Sequence, residues 1–199
     1  FRSGDGKAFI EWQTNVLIEH GEAVLKEATA AMAGKWTPEG LCFSVKVSGI
    51  HWFCNHPSRA AEVLAGYDSC TSPGACAYHK IAGMLARAAE TARRPVLFNF
   101  TCLEMNNWSN GMPEAYSAPE DLIAQVRRAC VSHNVGLAGE NALEFDLATG
   151  GWAFDQMKKQ LRGWSLGRDR FHGLTILRLN ENFVKPASLA TLREFVVST

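Results

Sequence analysis

Four short runs of β-branched and aromatic residues recur along the chain, each followed by a helical stretch, and few folds accommodate that rhythm. The runs are Leu41–Val47, Val96–Thr101, Val135–Leu143 and His172–Leu179. Each is short and largely apolar, bounded by Gly, Pro or polar residues, and reads as a buried strand. Before the first run, Lys7 to Ala33 carries Phe9, Trp12, Val16, Leu17, Val24, Leu25 and Ala28 at helical spacing, and Gly34 closes it. Ser58 to Ala65 reads as a short helix. Tyr78 to Arg93 is Ala-rich, with Ile81, Met84 and Leu85 on one face. Pro119 to Val131 presents Leu122, Ile123 and Val126, and Pro119 suits a first turn. Trp152 to Leu161 and Pro186 to Val197 complete the series. Buried strands alternating with helices pair in parallel through right-handed crossovers. The expected class is α/β, as an open sheet or as part of a (β/α)8 barrel.

Composition removes several functions. The chain has 199 residues, enough for one domain with a sizeable core, and 47% of them are hydrophobic. Twenty basic residues balance twenty acidic ones, which argues against disorder and leaves no electrostatic footprint for nucleic acid. No apolar run approaches a membrane span. No basic-then-apolar leader is visible, so no targeting signal is expected, and Phe1 in place of Met points to a start further upstream. No Gly-x-Gly-x-x-Gly follows a strand and no Gly-x-x-x-x-Gly-Lys occurs, so neither a dinucleotide fold nor a phosphate loop is expected. None of the six cysteines forms a Cys-x-x-Cys pair or stands at zinc-ligand spacing with a His, so no metal or other cofactor is expected. Cys42, Cys102 and Cys130 lie in apolar segments and read as buried free thiols. Cys70 and Cys76 share a polar loop, where pairing stays open because spacing does not fix geometry. Reduced thiols fit a plastid or the cytoplasm better than secretion.

The functional signal is where polar residues fall. Lys46 and His51, Thr101 and Glu104, Glu140 and Asn141, and Arg178 all stand at or just past the end of a predicted strand. In parallel α/β folds that edge carries the chemistry. Each residue also has a bland reading. Lys46 suits a snorkelling surface lysine, His51 a satisfied core imidazole, and Trp52 and Phe53 core aromatics. Glu140 suits a helix cap, Arg178 a surface pair with Glu181, and Glu104 a carboxylate holding Lys46 or a loop. One such residue is unremarkable. A set at all four strand ends is not, and with no metal-ligand spacing it points to carboxylate acid/base work on a hydroxyl-rich substrate.

Four stretches carry a resemblance: Lys46-Val47-Ser48-Gly49-Ile50-His51-Trp52, Phe98-Asn99-Phe100-Thr101-Cys102-Leu103-Glu104-Met105, Gly139-Glu140-Asn141-Ala142-Leu143 and Leu177-Arg178-Leu179. Together, in this order, they resemble the β-amylases of glycoside hydrolase family 14. The helix opening Phe9-Ile10-Glu11-Trp12 is similar to the one before the fifth barrel strand of that family. The resemblance spans nearly all of the chain but only the second half of the enzyme. It implies that the chain supplies strands five to eight of a (β/α)8 TIM barrel, with the N-terminal half as its missing partner.

The implied activity is inverting exo-hydrolysis of α-1,4-glucans such as starch or maltodextrin, releasing maltose from non-reducing ends. Glu140 resembles the general base. Asn141 and Ala142 resemble residues lining the glucosyl subsites, and Lys46, His51 and Arg178 resemble sugar contacts. Thr101 resembles the inner-loop residue near the catalytic water, and Lys46 is expected to help keep Glu140 ionised. The family's general acid, its lid and an essential Asp precede Phe1. Glu144 stands where the family has Pro, Phe53 where it has a second Trp, and the Cys70–Cys76 loop is atypical. The other reading is a non-catalytic relative that binds glucan as a sensor or scaffold. A half barrel with two open edges is further expected to aggregate or to pair with a second half.

Overall fold

A computed structural model describes residues 3–32, 42–54, 56, 64–65, 76–108, 115–142, 151–162, 171–178 and 180–198. Its elements are α1 (Gly4–Met32), β1 (Phe43–Val47), α2 (Ala77–Ala92), β2 (Val96–Phe100), α3 (Pro119–Ser132), β3 (Gly136–Glu140), α4 (Gly151–Leu161), β4 (Phe171–Thr175) and α5 (Pro186–Ser198). Most of the short helix expected over 58–65, the stop at Gly34, and Cys70 with its possible bond lie outside the described residues.

The strands form one parallel sheet in the order β1-β2-β3-β4, as successive βαβ units would lay them down. Register then sorts the side chains. Val45, Phe98 and Leu137 align across three strands, and one residue on so do Lys46, Asn99 and Ala138. Because side chains alternate along a strand, one face carries Val45, Val47, Val96, Phe98, Phe100 and Leu137. The other carries Ser44, Lys46, Asn99, Ala138 and Glu140. Helices α2 and α3 cover the apolar face, where Phe98, Phe100, Leu85, Ile123 and Val126 join Tyr78, Leu103 and Met157 in one buried core. Each such side chain contributes about 1.5–3 kcal/mol by leaving water. Between β3 and β4 the register slips by one residue: Leu137 faces Phe171 and Gly139 faces Leu174. That bulge keeps both Phe171 and Leu174 on the apolar side.

Local chemistry sets the element ends. Arg93 closes α2 in the left-handed region (φ 50°), its N–H donating to Glu90 O while Arg94 N–H donates to Ala89 O. The chain then turns through Pro95 into β2. At the start of α3, Glu120 and Asn107 exchange hydrogen bonds: Glu120 N–H donates to Asn107 Oδ1 (3.1 Å) and Asn107 N–H to Glu120 Oε2 (3.0 Å). Lys159 Nζ (2.7 Å) and Gln156 Nε2 (3.0 Å) reach the other Glu120 oxygen from α4. Burial opposes the charge on Glu120, but these donors outweigh it and hold its carboxyl below the usual range.

Helix α1 shows what its spacing left open, and two expectations need correction. Phe9, Trp12, Val16, Leu17 and Val24 are exposed on α1, while Ile10, Thr14 and Leu25 are buried. The helix meets α2 along a narrow stripe, with Gly21 beneath Met84, Lys80 Nζ donating to Asn15 Oδ1 and Arg87 paired with Glu22. Its wider apolar face has no cover among the described residues. Cys42 is exposed because it precedes the edge strand β1, whereas Cys102 and Cys130 are buried as expected. Burial pushes the Cys130 thiol up to about 12 and Cys102 well above its ordinary value, so both stay protonated and unreactive. The last strand ends at Thr175 and not at Leu179, and Arg178 turns the chain with φ 64°.

Gly139 marks where two side chains press on one face of β3. A Cβ there would overlap Leu103 Cδ1 and lie 2.8 Å from Phe171 Cε1. Gly139→Ala is expected to lower stability by about 1–3 kcal/mol, read as an earlier urea midpoint. An unshifted midpoint would contradict this packing.

Candidate active site

The polar face of the sheet ends in a buried carboxylate. Glu140 closes β3 and its side chain is 3% exposed. Lys46 stands on β1, two strands away, in register with Asn99 and Ala138 and on the same face as Glu140. Neighbouring strands lie about 4.8 Å apart, so only a long side chain spans the diagonal from β1 across β2 to β3. Lys46 does so: its Nζ lies 2.5 Å from Glu140 Oε1. Apart from that ammonium, no donor reaches Oε1 among the described residues. A carboxylate taken this far from water needs such a cation beside it.

The segment after β2 cradles the end of β3. Thr101 is buried directly past the strand, and Cys102 turns the chain with φ 59°. Leu103 N–H then donates to Glu140 O (3.2 Å), and both oxygens of Glu104 accept from Ala142 N–H (2.9 and 3.0 Å). Of the two structural roles open to Glu104, the structure assigns it the loop. Asn141 is buried, and its Oδ1 accepts from Leu177 N–H at 2.7 Å. Arg178 donates to Ala142 O at 2.9 Å, so its partner is the β3 loop and not Glu181. Glu140, Asn141, Ala142, Lys46, Arg178 and Thr101 therefore gather at one sheet edge, tied by backbone and side-chain bonds to three strand ends.

His51 belongs to a neighbouring structure. Its Nδ1 lies 2.8 Å from Ser117 Oγ, its carbonyl accepts from Ala118 N–H, and its ring stands edge-on to Trp52 at 5.1 Å. Trp52 and Phe53 are exposed, which corrects their reading as core aromatics: the loop after β1 runs outward along the 115–118 segment instead of over the apolar face. Desolvation lowers the His51 pKa, so the half-buried ring favours its neutral form.

One residue escaped the sequence reading. Asn99 sits between Lys46 and Ala138 in register, donates Nδ2 to Ser44 Oγ (3.2 Å), and keeps a buried Oδ1 with no hydrogen-bond partner among the described residues. An amide interrupting the apolar run Val96-Leu97-Phe98-Asn99-Phe100 was the available signal. Among the described residues no three His, Cys, Asp or Glu side chains gather to hold a metal ion, and no helix is long and apolar enough to cross a membrane.

Comparison with known proteins adds an independent line. A family model described as Glycosyl hydrolase family 14 matches residues 1–198. A Beta-amylase of Medicago sativa is 34% identical over 96% of this chain and 36% of its own length. Beta-amylase 5 of Arabidopsis thaliana is 35% identical over 98% of the chain and 37% of its length. Among solved structures, the catalytic domain of beta-amylase from Paenibacillus polymyxa superposes with a TM-score of 0.66 and 26% identity, covering 96% of this chain and 41% of that one. The chain thus spans about a third of the length of the curated relatives it matches. Its four parallel βα units are a portion of the TIM barrel of that catalytic domain.

His51 makes a pH dependence testable. Above the ordinary histidine pKa of 6.5 the ring is neutral folded or unfolded. As pH falls below 6.5 the unfolded chain takes up the proton while the folded protein resists, so stability is lost toward acid. His51→Gln is expected to flatten the fall in denaturation midpoint between about pH 7 and 5. An unchanged slope would show that His51 is not desolvated as described.

Proposed function

Because the chain belongs to glycosyl hydrolase family 14, we propose that it carries the general-base side of a β-amylase active site. The whole protein then cleaves maltose from the non-reducing ends of α-1,4-glucans of the starch type, with inversion. The observation that carries this reading is the Lys46–Glu140 pair: a buried carboxylate with a cation beside it, at the C-terminal edge of a parallel sheet. A base needs a carboxylate held in place, and the Lys46 ammonium against Oε1 holds Glu140 there.

In the proposed reaction Glu140 takes a proton from a water held by Thr101. The water oxygen bonds to the anomeric carbon as the glycosidic C–O bond breaks on the opposite face. The leaving oxygen takes its proton from a second carboxylic acid, roughly 6.5–9.5 Å from the base in an inverting enzyme. That acid comes from the N-terminal half of the barrel, which this chain, as strands five to eight, completes. Lys46, His51 and Arg178 contact sugar hydroxyls, and Asn141 and Ala142 wall the glucosyl subsites. The Asn141 amide acts indirectly, since its bond to Leu177 N–H fixes the turn that presents Arg178. No metal or organic cofactor enters these steps.

The test is maltose release from soluble starch by the full-length protein. Glu140→Gln is expected to lower kcat by about 10²–10⁴ while starch binding persists. Turnover that survives the substitution would remove Glu140 from the role. A full-length protein that binds glucan and releases no maltose would establish the non-catalytic reading instead.

A further inference from the structure

Beside the candidate site lies an aromatic patch that the proposed reaction does not use. Phe53 follows the loop after β1, and Tyr116 stands just before α3. Both are exposed, at 36% and 46%, and their ring centroids lie 5.9 Å apart with the planes 34° from parallel. The His56 ring stands steeply to both, 5.5 Å from Phe53 and 4.9 Å from Tyr116.

The patch is built and not incidental. Phe53 (φ 56°) and Tyr116 (φ 45°) both adopt the left-handed backbone region, which is uncommon for bulky side chains and persists only where surroundings enforce it. The enforcement is visible. Phe53 N–H donates to Ala115 O at 2.7 Å, Ala118 N–H donates to His51 O at 2.9 Å, and His51 Nδ1 meets Ser117 Oγ. Three bonds thus clamp residues 51–53 to residues 115–118 and hold the two strained aromatics side by side in water. A fold that only needed to hide these rings would turn them inward.

We propose that Phe53 and Tyr116, braced by His56, form an outer platform on which an α-glucan chain stacks beyond the units held at Glu140. The inference rests on the α-glucan reading of the site and extends it outward. Aromatic rings present a negative face to the C–H side of a pyranose while the sugar hydroxyls stay in water. The patch adjoins His51, itself a candidate sugar contact, because both are clamped to the 115–118 segment. A long glucan therefore gains contacts that a short one, filling only the inner site, does not reach.

The experiment compares dissociation constants for long amylose and for maltotetraose, using the full-length protein with Glu140→Gln to prevent turnover. The double change Phe53→Ala, Tyr116→Ala is expected to raise the ratio of the amylose constant to the maltotetraose constant roughly five- to tenfold. Tyr116→Leu, which keeps apolar cover but removes the ring, is expected to raise it in the same direction should the double variant fail to fold. Phe53→Trp and Tyr116→Phe, which retain flat rings, are expected to leave the ratio at its starting value. A ratio unmoved in the folded ring-deleted variants overturns the platform and leaves the active-site reading standing. An equal rise in the ring-retaining variants also overturns it, since the effect then follows loop geometry and not stacking. A protein that binds neither glucan removes the α-glucan reading and the platform together.

Discussion

Glu140 is a carboxylate withdrawn from water at the end of a parallel strand, and its burial sets the terms for what is packed around it. An isolated charge in such a place is too costly to persist. Lys46 supplies the opposite charge from two strands away, which requires β1, β2 and β3 in their observed register. Such a pair contributes little net stability when desolvation is counted against attraction. Its value is positional. Leu103 N–H holds the Glu140 carbonyl, Glu104 holds Ala142, and Asn141 holds Leu177, so three strand ends converge on one carboxylate.

The two faces of the sheet divide the labour. The apolar face is filled by α2 and α3 and carries the stability, while the polar face gathers the groups fit for chemistry. Gly139 answers to the first demand: it carries no side chain because Leu103 and Phe171 occupy the space a Cβ would take. The sheet has edges at β1 and β4 among the described residues, and α1 keeps Phe9, Trp12 and Leu17 exposed. A closed barrel removes sheet edges altogether. Those surfaces fit the proposed place of the chain as a portion of such a barrel.

Much of this was legible beforehand because it depends on local pattern. Strand cores, the ends of α2 and α3, and the clustering of polar residues at strand ends follow from short-range hydrophobic order and from Pro and Gly punctuation. What periodicity leaves open is burial. Helical spacing in α1 states only that its apolar residues share a side, not that anything covers it. Trp52 and Phe53 read as core because hydrophobicity does not reveal which way a loop leaves its strand. Asn99 was passed over because one polar residue in an apolar run looks like noise until register places it beside Lys46.

The sequence alone determined the α/β alternation, the strand count and which strand ends bear polar groups, because these are encoded within windows of ten residues or so. Tertiary structure alone decided their pairing. That Lys46 meets Glu140, that Glu104 serves Ala142, that Arg178 reaches back to Ala142, and that Phe53 lies against Tyr116 are contacts between segments far apart in the chain. Such contacts depend on strand order, on a one-residue bulge and on loop direction. Those are settled only when the whole sheet chooses the register that buries its apolar face.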